Sequence, residues 1–304
     1  MAPKRVICPA QSVMRWAMED YLPCRSALFL PASNPRAIEK ARTLPCDTVI
    51  LDLEDAVAPE AKDAARAAAI AAIEEGGFAA RRVVLRVNAR DTPWGADDLA
   101  AAAAAPFDAV LAPKVGTPDE ARGYAAALAG KPLWIMVETC LAIGHLQPLA
   151  DCVDAGLAAF VIGTNDLALE MRCAGRAALL PMLGFAVAAA RSRGLIALDG
   201  VCNDFTDLDR FAAQAGEGRA LGFDGKTLIH PAQITPCNAA FTPGEEEAAR
   251  ARAIVAAFAD PAHAGKGAIR LDGRMVERLH LVEAERTLAL LAAAQPGYVD
   301  DKLI

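Results

Sequence analysis

The 304-residue sequence lacks the features of several large protein classes. It has no uninterrupted apolar run near the ~20 residues that span a bilayer, so we expect no membrane segment. Its first residues, MAPKRVICPAQSVMRWAMEDYL, carry charge on both sides of a short, interrupted apolar stretch, which argues against a signal peptide. It also lacks an excess of positive charge. The 31 basic residues against 38 acidic ones leave a net charge of −7, which disfavours nucleic-acid and membrane partners.

Cysteine patterns typical of zinc sites and disulfide frameworks are absent as well. The eight cysteines are scattered, with no CxxC pair and none placed beside a histidine as a zinc ligand would be. We therefore expect a reduced, cytoplasmic protein. Neither GxGxxG nor GxxxxGK followed by Ser or Thr occurs, which argues against dinucleotide and Walker-type nucleotide binding.

The sequence does have a repeated alternation of short apolar runs and stretches of helical period. Hydrophobic residues make up 54% of the chain, enough for a sizeable core. Eight predicted strands, each followed by a helix, favour an α/β fold of the (β/α)8 TIM barrel type over an open doubly wound sheet. The predicted strands are Ala27 to Pro31, Thr48 to Leu53, Val83 to Asn88, Ala109 to Pro113, Leu133 to Glu138, Ala159 to Gly163, Leu195 to Asp199 and Phe223 to Ile229.

Helices are expected between these strands, several of them opened by a proline suited to the first helical turn. Their predicted starts are Pro35, Pro59, Gly95, Pro118, Ala142, Leu180, Thr206 and Pro231. After residue 240 this βα rhythm stops. We expect residues 1–240 to form the catalytic barrel and residues 241–304 a small C-terminal helical appendage, with a loop from Pro261 to Arg274. Its helices must cover this barrel or a neighbouring subunit.

Polar side chains collect at the predicted C-terminal ends of the strands, where barrel enzymes place their active sites. Each alone would more often be a helix cap or an ion-pair partner, but the joint pattern is harder to dismiss. The residues are Asp52, Glu54 and Asp55; Arg86 and Asn88; Lys114; Glu138; Asn165 and Asp166; Asp199 and Asn203; and Lys226 and His230.

Glu138 and Asp166 end adjacent strands and have no His or Cys pair nearby, which suits a hard cation such as Mg²⁺. Such a cation leaves positions for a substrate carboxylate and α-oxygen, and Arg86 could bind the same carboxylate. This pattern indicates a site for a 2-oxo or 2-hydroxy acid, and carbon–carbon cleavage beside such a group needs an electrophilic stabiliser. Lys114 is interpreted as a charged partner of the carboxylates in preference to a Schiff-base lysine.

Several segments also resemble the citrate lyase β-subunit-like proteins of the HpcH/HpaI aldolase/citrate lyase superfamily, a group that includes malyl-CoA and citramalyl-CoA lyases. The resemblance covers nearly everything after Arg25. The most specific segments are LDLED at 51–55, GFDGKTLIHPAQI at 222–234 and GKGAIRLDGRMVE at 265–277.

The resemblance implies a Mg²⁺-dependent barrel lyase that acts on a CoA thioester as a homotrimer or homohexamer. It assigns Glu138 and Asp166 as metal ligands, with Glu138 also in the substrate site, and Arg86 as the substrate-carboxylate arginine. Asp52, Glu54 and Asp55 would order the metal waters and the arginine. The implied CoA-binding residues are Phe29, Arg36, Lys40, Ile229 and His230.

Two positions depart from the resemblance. Ala32 stands where relatives show glycine, and Glu277 stands where lyases of the malyl-CoA type carry a catalytic Asp supplied by a neighbouring subunit. Glu277 keeps the carboxylate but lengthens the side chain by one methylene, and a shift of about 1 Å matters to rate. We assign it as the candidate acid.

The resulting hypothesis is cleavage of a 3-hydroxy-3-carboxylacyl-CoA thioester, of the malyl-, citramalyl- or citryl-CoA type, to acetyl-CoA and a 2-oxo acid. Four alternatives stay open. They are a Mg²⁺-dependent 2-oxo-3-deoxy sugar-acid aldolase, a malyl-CoA thioesterase, a non-catalytic ligand-binding subunit, and a subunit that acts with citrate lyase partners on an acyl-carrier thioester.

Overall fold

The computed structural model describes residues 23–80 and 82–294. The chain divides into two compact units between Phe241 and Thr242, close to the predicted boundary at residue 240. The first unit is Cys24–Phe241, and the second contains the described residues 242–294. The N-terminal segment in which we expect no signal peptide lies outside the described residues.

Eight parallel strands close into a barrel in chain order, and β8 pairs back with β1. The TIM-barrel prediction is therefore confirmed, and every strand begins and ends within two residues of its predicted bounds. The strands are β1 Ser26–Pro31, β2 Thr48–Asp52, β3 Arg82–Arg86, β4 Ala109–Ala112, β5 Leu133–Val137, β6 Leu157–Ile162, β7 Ile196–Asp199 and β8 Gly225–Leu228.

The barrel interior is packed with apolar side chains. Trp134, which is 2% exposed, is its largest residue and packs in one cluster with several inward-facing alanines. Ile50 and Val84 belong to the same cluster. Because side chains alternate along a strand, Asp52 and Arg86, two positions further on, continue these inward rows at the C-terminal end. The polar site therefore begins where the apolar interior stops.

Ten α-helices of this unit are described, and none of the helices within residues 23–80 and 82–294 has the length and apolarity that a bilayer crossing requires. They are α1 Pro35–Ala41, α2 Lys62–Glu75, α3 Gly95–Ala104, α4 Pro118–Ala127, α5 Cys140–Gly144, α6 Leu146–Ala150, α7 Thr164–Met171, α8 Leu180–Arg193, α9 Leu208–Leu221 and α10 Ile234–Phe241.

Two predicted helix starts differ from the structure, and one observed helix was not predicted. The predicted starts at Pro59 and Pro231 belong to short 3-10 turns that precede α2 and α10. Helix α7 was not predicted, because its eight residues are too few to show a clear helical period.

Asp199 and Lys226 do not join the polar cluster predicted at the strand ends. Asp199 lies two positions after Ala197, and Lys226 lies two positions before Leu228. Ala197 and Leu228 belong to the cluster between barrel and helices, and residues two apart on a strand face the same side. Both side chains therefore lie on the outer face of the barrel, fully buried, with Lys226 Nζ 2.9 Å from Asp199 Oδ2. Arg176 completes the group with hydrogen bonds of 3.0 and 2.9 Å to the two Asp199 oxygens. This buried network is structural and corrects the prediction that these two residues face the site.

The second unit contains two helices and a β-hairpin. Helices α11 Glu245–Ala259 and α12 Arg278–Ala294 share a small core with β9 Ala268–Leu271 and β10 Arg274–Glu277. The appendage is therefore not wholly helical, and the loop predicted from Pro261 to Arg274 contains β9. The hairpin turn is Asp272-Gly273, whose φ angles of 48° and 78° are the positive values that a two-residue hairpin turn needs.

Replacing Lys226 by Met should destabilise the protein by about 3 kcal/mol or more, because removing one partner of a buried pair leaves a buried charge poorly compensated. The matched control is Arg193→Met. It breaks the ion pair to Asp151, whose two side chains are 47% and 44% exposed, and should cost less than about 1 kcal/mol. Urea unfolding measures both variants, and equal losses would contradict the buried network's role.

Candidate active site

Arg86 is the central cation at the C-terminal end of the barrel. It ends β3, is 8% exposed, and binds Asp52 at the end of β2 through two hydrogen bonds of 2.6 Å, from Nε and from Nη2. The ring of Phe29, one of the residues predicted to bind CoA, lies under the guanidinium with its centroid 4.8 Å from Cζ. Since a guanidinium carries five N–H groups, those on Nη1 and the second on Nη2 are not directed at Asp52.

Glu54 lies between two cations. Its Oε2 is 2.8 Å from Arg86 Nη1 and its Oε1 is 3.0 Å from Lys114 Nζ, so Lys114 is confirmed as a charged partner of the carboxylates. The ion pair to Arg86 is not aligned as a hydrogen bond, and Oε2 is left as a buried oxygen without one. Burial raises the pKa of Glu54, and the charge of Arg86 opposes that rise. Asp55 is more distant, at 4.0 Å from Arg86 and 3.9 Å from Lys114.

A lysine that sequence reasoning missed holds this loop in place. Lys62, the first residue of α2, is 6% exposed, and its Nζ donates at 2.7 Å to the carbonyl oxygens of Leu53 and Glu54 and to Asn88 Oδ1. Asn88 in turn donates from Nδ2 to Asp98 at 2.6 Å. No sequence pattern distinguishes Lys62 from the surface lysines of other helices.

Glu138 follows β5 and is almost fully buried, at 2% exposure. Its Oε1 accepts a hydrogen bond of 2.8 Å from the backbone N–H of Lys114. A Cβ atom placed on Gly163 would lie 2.4 Å from Glu138 Oε2, so only glycine leaves room for this carboxylate. Burial raises the pKa of Glu138 to about 8, and the nearby charges of Glu54 and Asp166 act in the same direction.

The donors at this end of the barrel fit Mg²⁺. Asp166 lies in the first turn of α7, is half-buried, and makes no hydrogen bond or ion pair with any described residue. Oε2 of Glu138 likewise accepts no hydrogen bond from that part of the chain. Among the described residues no group of three His, Cys, Asp or Glu side chains could hold a metal, so a bound cation would have these two carboxylates and several waters. Mg²⁺ prefers that combination.

The residues predicted to bind CoA are spread over three elements. Phe29 lies on β1, and Arg36 and Lys40 are exposed on α1, four residues apart. Ile229 and His230 follow β8 and are exposed. His230 stacks on Phe205, a residue that sequence reasoning missed, with ring centroids 4.7 Å apart.

Glu277 belongs to the second unit. It is the last residue of β10, is half-buried, and its backbone N–H donates to His280 Nδ1 at 3.0 Å. The predicted role of Glu277 as an acid therefore remains a prediction.

Comparison with known proteins assigns the family. The profile of the HpcH/HpaI aldolase/citrate lyase family matches residues 25–231. This chain belongs to that family. It is 43% identical over 270 residues to a (3S)-malyl-CoA thioesterase of Cereibacter sphaeroides, which covers 88% of this chain and 94% of that protein. It is 33% identical to the L-malyl-CoA/beta-methylmalyl-CoA lyase of the same species, over 86% and 93% of the two chains.

One solved structure is similar to this chain over most of its length. The crystal structure of CitE from Mycobacterium tuberculosis, in complex with magnesium, acetoacetate and coenzyme A, superposes with a TM-score of 0.75 at 30% identity. The match covers 90% of this chain and 99% of CitE. Relatives of this HpcH/HpaI protein are therefore named both as lyases and as thioesterases of CoA esters.

The contribution of Glu138 to the stability of the metal-free protein should fall as pH rises from 4.5 to 8. Folded Glu138 keeps its proton up to about pH 8, whereas the unfolded chain releases it near the ordinary value of 4.5, so the unfolding free energy declines across that range. Glu138→Gln cannot titrate but keeps an oxygen to accept the Lys114 N–H, so its melting temperature should decline less. Thermal unfolding in chelator at pH 5.5, 7 and 8.5 measures both proteins, and equal slopes would contradict the raised pKa.

Proposed function

We propose that this protein is a Mg²⁺-dependent enzyme that hydrolyses a malyl-CoA-type thioester to the free hydroxy acid and CoA. The observation that carries hydrolysis is the 43% identity to a (3S)-malyl-CoA thioesterase along 94% of that protein's length, against 33% to the malyl-CoA lyase. The residues at the mouth of the barrel support the substrate class, since they offer a guanidinium and two carboxylates that have no ion pair with any described residue.

Glu138 and Asp166 are proposed to hold the cation. When bound, Mg²⁺ supplies a Lewis acid that polarises the substrate oxygens. Arg86 binds the substrate carboxylate with the N–H groups on Nη1 and Nη2 that Asp52 does not use. Asp52 and Glu54 keep the guanidinium in this orientation, because both carboxylates contact it from the C-terminal end of β2 and the loop that follows.

The CoA portion is proposed to lie across β1, α1 and the segment after β8. Arg36 and Lys40 are exposed cations without an ion pair to any described residue, which suits phosphate groups. Phe29, Ile229 and His230 offer apolar surface between these cations and the carboxylate-binding end. We further expect a cytoplasmic homotrimer or homohexamer.

The second candidate is the carbon–carbon lyase expected from the sequence. It is favoured by the combination of Arg86 with a cation site, since aldol cleavage needs charge stabilisation where the new 2-oxo group forms. In that reaction a base removes the hydroxyl proton and Glu277, as the proposed acid, returns a proton to the thioester enolate. The two candidates share substrate and binding residues and differ in the bond that breaks.

Product analysis separates the two reactions. We expect malyl-CoA with Mg²⁺ to give free malate and CoA, whereas cleavage would give glyoxylate and acetyl-CoA. Liquid chromatography with mass spectrometry on malyl-, methylmalyl-, citramalyl- and citryl-CoA, with Mg²⁺ and with chelator, measures each outcome. Intact esters throughout would overturn the CoA-ester proposal and leave the sugar-acid aldolase and the non-catalytic subunit to test.

Removing either proposed metal ligand should abolish metal-dependent turnover. Glu138→Ala and Asp166→Ala each leave a cation with one protein carboxylate, so we expect losses of about 100-fold or more with the fold retained. The matched control is Asp154→Ala, which removes an exposed carboxylate paired with Arg122 and should leave turnover unchanged. Undiminished activity in either ligand variant would contradict the metal assignment.

Glu277 should control the balance between the two reactions. Glu277→Asp restores the residue that malyl-CoA-type lyases carry, so we expect a larger share of acetyl-CoA plus glyoxylate among the products. Glu277→Gln removes the acid and should lower that share by about 100-fold. Glu283→Gln, an exposed change on α12, is the control. An unchanged product ratio in both Glu277 variants would refute its role as the acid.

A further inference from the structure

Lys114 has a backbone conformation that lysine rarely adopts. It lies two residues after β4 with φ at 54°, in the left-handed region that L side chains other than Asn and Asp disfavour. Glycine would adopt this conformation without steric cost, but position 114 is a lysine, so the surrounding structure must hold its backbone in place. Such conformations persist where neighbouring contacts over-determine them, often at functional sites.

In this left-handed conformation, the backbone N–H of Lys114 points at Glu138. The Lys114 N–H donates to Oε1 at 2.8 Å, and the Glu138 side chain is 2% exposed, so few other donors can reach it. On the other side of the carboxylate, Gly163 lies so close that a Cβ atom there would be 2.4 Å from Oε2. The Glu138 carboxylate is therefore held between the Lys114 N–H, which donates to Oε1, and the Gly163 backbone, which lies beside Oε2.

The side chain of Lys114 explains why glycine does not occupy this position. Its Nζ is 3.0 Å from Glu54 Oε1, and Glu54 contacts Arg86 with its other oxygen. One residue thus contacts two acids of the site, Glu138 with its backbone and Glu54 with its ammonium group.

We propose that the left-handed backbone conformation of Lys114 positions Glu138 for metal binding. The hydrogen bond from the Lys114 N–H fixes Oε1, so that Oε2 faces a divalent cation. This inference rests on the proposed function, because it takes Glu138 as a ligand. Lys114 itself is a positioning residue, and its backbone conformation carries the effect.

Substitutions that differ only in their tolerance of the left-handed conformation test this role. Lys114→Gly and Lys114→Asn accept it, whereas Lys114→Ala accepts it less readily and Lys114→Val least. All four lack the ammonium group, so any electrostatic effect of its loss is common to them. We expect the Mg²⁺ dissociation constant of the full-length protein, measured by isothermal titration calorimetry, to be about tenfold higher or more in Lys114→Val than in Lys114→Gly. If Lys114→Val does not fold, the comparison of Ala with Gly decides.

Arg172 provides a matched control. It is an exposed non-glycine residue with the same φ of 54°, at the end of α7. Arg172→Val and Arg172→Gly should differ in thermal stability as the Lys114 pair does, yet bind Mg²⁺ equally well. Equal Mg²⁺ affinity in the Lys114 Gly and Val variants would overturn the inference. Glu138→Gln separates this from a failure of the metal site: if it binds Mg²⁺ as tightly as the wild type, Glu138 is not a ligand and the proposed function fails first.

Discussion

Charge buried at one end of the barrel is the constraint on which the rest of the site depends. Arg86 is 8% exposed and Asp52 is 1% exposed, so neither could keep its charge there alone. Their paired hydrogen bonds of 2.6 Å compensate both, and strand register places them opposite each other at the ends of β2 and β3. The geometry of the site thus follows from sheet pairing, because the partners are direct neighbours in the ladder.

The acids of the site are not all compensated by a cationic side chain, and this explains why a metal cation fits the proposed site. Glu138 and Asp166 receive no cationic side chain among the described residues, and Glu138 accepts only the backbone N–H of Lys114 through its side chain. Burial raises the pKa of Glu138 to about 8, and the more distant charge of Arg86 opposes this rise without overcoming it. A buried carboxylate in this condition is stabilised either by a proton or by a metal ion. Contacts around these carboxylates restrict their movement, since Lys62 ties the β2 loop to Asn88 while Gly163 and Lys114 confine Glu138.

Much of the fold and part of the site could be predicted from the sequence. Parallel strands bring their C-terminal ends to one edge, so Asp52, Arg86 and Glu138 could be expected to converge. The side on which a polar residue lies was harder to predict, because strands buried on both faces show no apolar–polar alternation. Asp199 and Lys226 were misplaced for that reason.

Other features depend on tertiary contacts. The backbone conformation of Lys114 and the lysine clamp at Lys62 leave no local signal, since both arise from residues distant in sequence. The hairpin turn at Asp272-Gly273 did carry a signal, because Asp-Gly between short segments that contain apolar residues, here Ile269 and Leu271 before it and Met275 and Val276 after it, is typical of two-residue turns. The choice between hydrolysis and cleavage likewise leaves no local signal in the sequence.

Both reactions need the substrate carboxylate and hydroxyl to be bound in the same way, so the barrel residues can stay unchanged while the reaction changes. Cleavage alone needs a proton returned to a carbon atom, and that demand falls on an acid outside the metal site. A longer carboxylate at position 277 is the kind of change that would impair this one step and spare attack of water on the thioester. In the proposed function, hydrolysis is therefore the reaction that remains when reprotonation is slow.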